Sequence, residues 1–291
     1  EFKDEWLLHD TKFGINTHSM LNLGNAECRE WIASVIIDIM ETGGIDVYRQ
    51  DFNWIPYSLW QSYDTVDRTG MVENLYVQGY YAYFDALIEH FPDLVIDTCA
   101  SGGGRVELET LRRAVPLHRT DCNVEFFNNT QAASQALYNW IPFSGQPTNY
   151  SIESEFDVYS IRSAYAPSIT LNYDYRRDDK DWPLLSALVE ECRMVTQYCY
   201  DDYYELVEWN NSDSRWRGWE FFNPTDNAGV IQLFCPENAK ELTKTIRLHG
   251  LDETVTYVLT DVVGTFSTTA TGKELMETGL HISYSGPRSS S

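Results

Sequence analysis

Through its first two-thirds the chain repeats one device. A short β-rich run ends in a polar cluster, and a segment with helical periodicity follows. Ile45–Tyr48 runs into Arg49-Gln50-Asp51-Phe52-Asn53, Leu94–Thr98 runs into Cys99 and Ser101-Gly102-Gly103-Gly104-Arg105, and Leu117–Asp121 carries Arg119 and Asp121, with Asn123 just beyond. Helical spacing covers Asn25–Thr42, with Asn25 as N-cap and Gly43-Gly44 as stop, then Val72–His90, Glu107–Ala114, Thr130–Leu137 and Trp182–Tyr200. Tyr138–Phe143 and Ser168–Tyr173 read as further strands. Strands separated by helical crossovers lie parallel. Strands that all end in polar residues gather those residues at one edge of the sheet, as in a barrel whose site lies at the strand carboxyl ends. A doubly wound sheet is the competing architecture, but its GxGxxG turn is absent.

The texture changes after about Tyr204. Trp216–Phe222, Gly229–Phe234, Thr243–Arg247, Thr254–Leu259 and Gly279–Tyr284 alternate between turn signals, which predicts a small antiparallel β module. The expected organisation is therefore an α/β barrel portion over 1–205, a β-sandwich over 206–285, and a flexible tail over 286–291.

Composition narrows the chemistry. The net charge of −23 repels phosphate backbones and argues against nucleic acid as a partner. The longest apolar run, Trp31–Met40, is too short for a membrane span and contains Asp38. The cysteines at 28, 99, 122, 192, 199 and 235 form no CxxC pair and read as reduced, mostly buried thiols rather than a zinc site or disulfide framework. With no HExxH or DxDxDG run, neither a metal nor an organic cofactor is expected. The chain starts at Glu1 without Met, which suggests a start within a longer protein; the expected compartment is the cytoplasm.

Two carboxylates at the ends of nearby barrel strands suit glycosidic bond cleavage, one as nucleophile and one as acid/base. Arg49 would help keep Asp51 ionised. Alternatively, Asp51 and Asp121 cap the following helices and the arginines bridge them. Trp54, Tyr57 and Trp60 either stack on sugar rings or pack over the barrel rim, and Trp140 is open to the same two readings.

Tyr48-Arg49-Gln50-Asp51-Phe52-Asn53 and Cys99-Ala100-Ser101-Gly102-Gly103-Gly104-Arg105 resemble signature segments of glycoside hydrolase family 36, the α-galactosidases. Asp121, 22 residues after Cys99, stands where that family's acid/base is expected. Met20–Glu30, Arg162 and Pro167–Tyr173 resemble further parts of the family's barrel, and the residues after about 205 resemble its C-terminal β domain. The resemblance implies Asp51 as nucleophile, Asp121 as acid/base, and Arg49, Asn53, Trp54, Cys99, Ser101, Gly102 and Gly103 as substrate-binding residues. Glycines at 102–104 would let backbone N–H groups approach a sugar closely; Arg105 would order the loop.

The implied activity is release of terminal α-linked galactose with retention. The alternatives are an α-N-acetylgalactosaminidase of the same architecture, or a non-catalytic carbohydrate-binding fragment. Only 50 residues precede Asp51, whereas three barrel units need about 90. The first strands of a complete barrel are therefore expected to be missing. An open barrel exposes strand edges, which favours homo-oligomers.

Overall fold

The computed structural model describes residues 3–10, 19–121, 127–149, 151–262 and 264–291. The chain divides into two compact units, Glu1–Pro116 and Leu117–Ser291.

In the first unit, β1 (Leu7–His9) pairs antiparallel with β2 (Ser19–Leu21). Helix α1 (Ala26–Gly43) begins where the Asn25 side chain accepts from the Cys28 N–H. It ends because Gly44 takes a left-handed φ of 61°, and the Ile45 N–H then closes on the Met40 carbonyl. That closure uses Ile45, so strand β3 starts later than its apolar run suggests and spans Val47–Asp51, carrying regular pairing through Asp51.

Helices α2 (Tyr57–Tyr63) and α3 (Met71–His90) follow. The Asp64 carboxylate accepts from the N–H groups of Gly70 and Val72 and so anchors the start of α3. Strand β4 (Val95–Cys99) runs parallel to β3, and α4 (Leu108–Leu111) is capped by Glu107. The core of this unit gathers Tyr80, Tyr83, Phe84 and Leu87 of α3 against Ile96 of β4. At Gly79 the α3 backbone passes so close to Leu23 that an added Cβ would lie 1.9 Å from the Leu23 carbonyl oxygen.

In the second unit the expected strands are less regular. Leu117–Asp121 and Ser168–Tyr173 contribute isolated parallel bridges, His118 to Gly145 and Pro147 to Thr170. Tyr138–Phe143 is not a strand. It is the turn that closes helix α5 (Phe127–Leu137), and the extended segment lies further on, at 145–148. Gly145 is required there, because a Cβ would fall 1.0 Å from the Ser168 carbonyl oxygen. Pro147 lacks the N–H that would extend the ladder.

Helices α6 (Val158–Ser163) and α7 (Trp182–Thr196) follow, each N-capped by an aspartate, Asp157 and Asp181. Then come β5 (Asp202–Glu205), β6 (Arg217–Asn223), β7 (Ala228–Cys235), β8 (Thr243–Ile246), β9 (Thr256–Thr260), β10 (Ser267–Thr271), α8 (Gly272–Glu277), β11 (Leu280–Ser283) and β12 (Ser289–Ser290). They form an antiparallel sheet ordered β12-β7-β6-β5 and the pairs β8·β11 and β9·β10.

Within the second unit, packing is continuous across residue 205. Strand β6 is buried on both faces. Trp219 and Phe221 pack with Tyr138, Tyr159 and Cys199, while Phe222 packs with Leu233, Ile246 and Leu275. Residues 286–291 are likewise no loose tail. Ser289–Ser290 pair with Phe234–Cys235, the Arg288 guanidinium binds Asp157 through both terminal nitrogens, and Arg162 donates to the Ser290 carbonyl.

Among the described residues no helix is long and apolar enough to cross a membrane. The five described cysteines, 28, 99, 192, 199 and 235, are free and buried; Cys122 lies outside the described residues, as does Asn123.

Candidate active site

The carboxyl ends of β3 and β4 bring the candidate residues of the first unit together. Parallel register pairs Arg49 with Asp97, Gln50 with Thr98, and Asp51 with Cys99. Side chains alternate along a strand, so Arg49, Asp51, Asp97 and Cys99 share one face. Arg49 donates through Nη1 to Asp97 Oδ2, and its Nη2 lies 3.8 Å from Asp51 Oδ2. Arg49 and Asp51 are each 41% exposed, whereas the Asp97 side chain is 5% exposed. Burial acts to weaken the Arg49 guanidinium's hold on its proton, but Asp97, with help from Asp51, outweighs it and shifts the group upward. Asp51 does not cap the next helix, since that position belongs to Pro56.

Beyond the strands, further bonds tie the two ends together. The Phe52 N–H donates to the Cys99 carbonyl, and Asn53 Oδ1 accepts the Ser101 N–H at 2.9 Å. Arg105 donates to Gln50 Oε1 and the Tyr80 hydroxyl, and its guanidinium lies over the Phe52 and Tyr80 rings. It therefore orders the loop from beneath.

The loop itself turns through Ser101 at φ 46° and Gly102 at φ 73°. Gly102 takes this left-handed conformation without the penalty a side chain incurs; Ser101 does not. Gly103 bridges to Ala100, and a Cβ on Gly104 would lie 2.5 Å from the Ala100 carbonyl oxygen. Burial, and then the adjacent Asp51 carboxylate, push the Cys99 thiol upward against the Gly102 amide that faces it. Cys99 is thus a neutral, buried thiol beside Asp51.

The aromatic candidates separate. Trp60 packs against Tyr76 with ring centroids 5.1 Å apart and belongs to the core. Trp54 is half-buried beside Phe52, whereas Tyr57 and Trp140 are exposed.

Asp121 belongs to the second unit and is exposed. Arg119, two residues earlier, turns inward: it is 1% exposed, donates to the Ser144 carbonyl and lies over the Tyr138 ring. Sequence reasoning missed Asp97. Its signal was parity, since it precedes Cys99 by the same two residues by which Arg49 precedes Asp51.

Residues 4–134 match the Melibiase family model, and residues 216–291 match the glycosyl hydrolase family 36 C-terminal domain. Alpha-galactosidase C of Emericella nidulans is 23% identical over 294 residues, spanning 96% of this chain and 37% of that protein. The solved alpha-galactosidase of Lactobacillus brevis superposes with a TM-score of 0.79 at 16% identity, covering 99% of this chain and 40% of that one. The family 36 alpha-galactosidase AgaA of Geobacillus stearothermophilus gives 0.76 at 18% identity, covering 98% and 40%. The chain thus shares their fold and spans about two-fifths of the length of these proteins.

Proposed function

Because this chain belongs to glycoside hydrolase family 36, we propose that it carries the two catalytic carboxylates of a retaining exo-α-galactosidase. Asp51 is the nucleophile and Asp121 the acid/base. The supporting architecture is the later part of a (β/α)8 barrel followed by a C-terminal β-sandwich.

One observation carries the reading. Asp51 ends a parallel strand in register with Cys99, flanked by Arg49 and by the glycine loop that Asn53 holds. The relatives, alpha-galactosidases, supply the substrate class, a terminal α-galactoside.

In the first step the Asp51 carboxylate attacks the anomeric carbon. The C–O bond to the leaving group breaks as the Asp121 carboxyl gives that oxygen its proton. Asp51 and the sugar are then joined as an ester. In the second step the Asp121 carboxylate takes a proton from water, the water oxygen attacks the anomeric carbon, and Asp51 leaves. Two inversions give net retention. Cys99, Ser101, Gly102 and Gly103 line the sugar's 2-position, Arg49 and Asn53 meet neighbouring hydroxyls, and Trp54 offers a ring on which the sugar stacks. No metal or organic cofactor takes part in this scheme.

The test is hydrolysis of an aryl α-galactoside, with an aryl α-N-acetylgalactosaminide alongside. Release from the first only, abolished by Asp51→Ala, is the expected result. Turnover that survives Asp51→Ala overturns the assignment, and cleavage of the second at equal or higher rate reassigns the sugar. Glycan binding with no turnover by the intact protein marks a carbohydrate-binding module instead.

A further inference from the structure

We propose that Asp97 is a positioning residue that holds Arg49 at a stand-off from the nucleophile, within Coulomb range and too far to bond it. The inference rests on the reading of Asp51 as nucleophile and extends it to a residue outside that scheme.

The geometry is specific. Parallel register sets Arg49 opposite Asp97 and Asp51 opposite Cys99, so one guanidinium faces two carboxylates on one surface of the sheet. It bonds Asp97, which is almost wholly buried and fixed in mid-strand. Its other terminal nitrogen is 3.8 Å from Asp51 Oδ2, beyond a hydrogen bond but well within Coulomb range.

A nucleophilic oxygen held in a bidentate guanidinium fork commits a lone pair to a charged hydrogen bond that must break before attack. A nucleophile with no cation nearby is easier to protonate. The intermediate distance avoids both. Without a buried partner for Nη1, the half-exposed Arg49 is free to close on Asp51.

Cys99 on β4 is neutral, its thiol raised by burial. Arg105 in the loop is committed to Gln50 and Tyr80. The phenols of Tyr48, Tyr80 and Tyr83 lie on the opposite face of β3, against α3, and are raised by burial.

Asp97→Asn keeps the shape and removes the charge. Two effects then act on Asp51 in the same direction: a like charge is lost, and the cation moves closer. The acidic limb of the kcat/KM profile should therefore move down by roughly half a pH unit or more, and kcat should fall about tenfold or more with KM changed less than about twofold. Asp97→Glu retains the charge and should keep the acidic limb where the parent has it, at reduced kcat.

The proposal is overturned if Asp97→Asn lowers kcat with the acidic limb unmoved, or moves it upward. If Asp97→Asn does not fold, Asp97→Glu decides: a limb displaced from the parent position overturns the proposal. Peptide mapping after inactivation by a covalent α-galacto-configured epoxide separates this from the underlying reading. Label on Asp51 in parent and variant leaves the nucleophile assignment standing whatever the pH profiles give. Label on another carboxylate removes that assignment, and the role of Asp97 with it.

Discussion

Asp51 and Cys99 are register partners at the carboxyl ends of two adjacent parallel strands. The carboxylate and the buried thiol therefore project from the same edge of the sheet, and the loop after Cys99 turns directly beside the carboxylate. That single pairing converts two motifs 48 positions apart into one surface.

Azide tests the roles proposed for the two aspartates in the intact protein. Asp51→Ala should lose activity on every galactoside, by about a thousandfold or more, because the covalent step is gone. Asp121→Ala should be milder for leaving groups that need no proton. Azide should then rescue Asp121→Ala with a product of retained configuration and Asp51→Ala with an inverted one. NMR of the galactosyl azides reads both; exchanged configurations would exchange the roles.

Glu220 gives a pH-dependent stability. Burial on β6 pushes its carboxyl up to about 8, opposed by the His249 N–H that it accepts. Its unfolded value is about 4.3. The folded form thus binds the proton more tightly. Its contribution is fully present below about pH 4 and is lost as pH rises toward 8. Glu220→Gln keeps the acceptor and removes the ionisation. Its melting temperature should match the parent near pH 4 and exceed it at pH 8 by several degrees, at roughly 2–4 °C per kcal/mol recovered. Equal melting temperatures at pH 8 would falsify the assignment.

Gly79→Ala has an inverted sign. In an exposed helix interior the change gains about 1 kcal/mol. Here the new Cβ meets the Leu23 carbonyl oxygen at 1.9 Å. A rigid backbone cannot move aside as a side chain can, so a loss of about 2 kcal/mol or more is expected. Chemical denaturation of the variant measures it, and any stabilisation means that α3 does not pass Leu23 this closely.

Arg288→Ala tests the closing strand. The guanidinium spans both Asp157 oxygens, and Asp157 caps α6. The pair is about a third exposed, so its loss should cost only about 1 kcal/mol. It should also make the Gly286–Ser291 segment accessible to protease. Unchanged cleavage would show that β12 pairing alone retains the segment.

Legibility followed locality. Asn25 and Gly43-Gly44 act on neighbouring residues, so α1 could be read to within a residue at either end. The capping box Thr271-x-x-Glu274 was equally local and marks α8, a helix missed inside an expected β module. Strands depended on partners far along the chain. Tyr138–Phe143 looked β-prone by residue type, yet burial of Tyr138 against Trp219 and Phe221 decided its path. The C-terminal segment looked featureless because its anchor, Asp157, stands 131 positions earlier. At the site, residue identities were visible and their mutual bonds were not. Asn53 could be named as polar, but not as the acceptor that fixes Ser101.

That fixing sets stability against activity at one position. Ser101 is held at φ 46°, a conformation that a side chain populates at a cost of about 1 kcal/mol. Any selection for thermal resistance will therefore favour glycine here, since it adopts this geometry freely. The same exchange widens what the loop can do when Asn53 lets go, so the more durable protein would present a less settled surface next to Asp51. Selection for stability alone would thus remove the hydroxyl proposed to face the sugar.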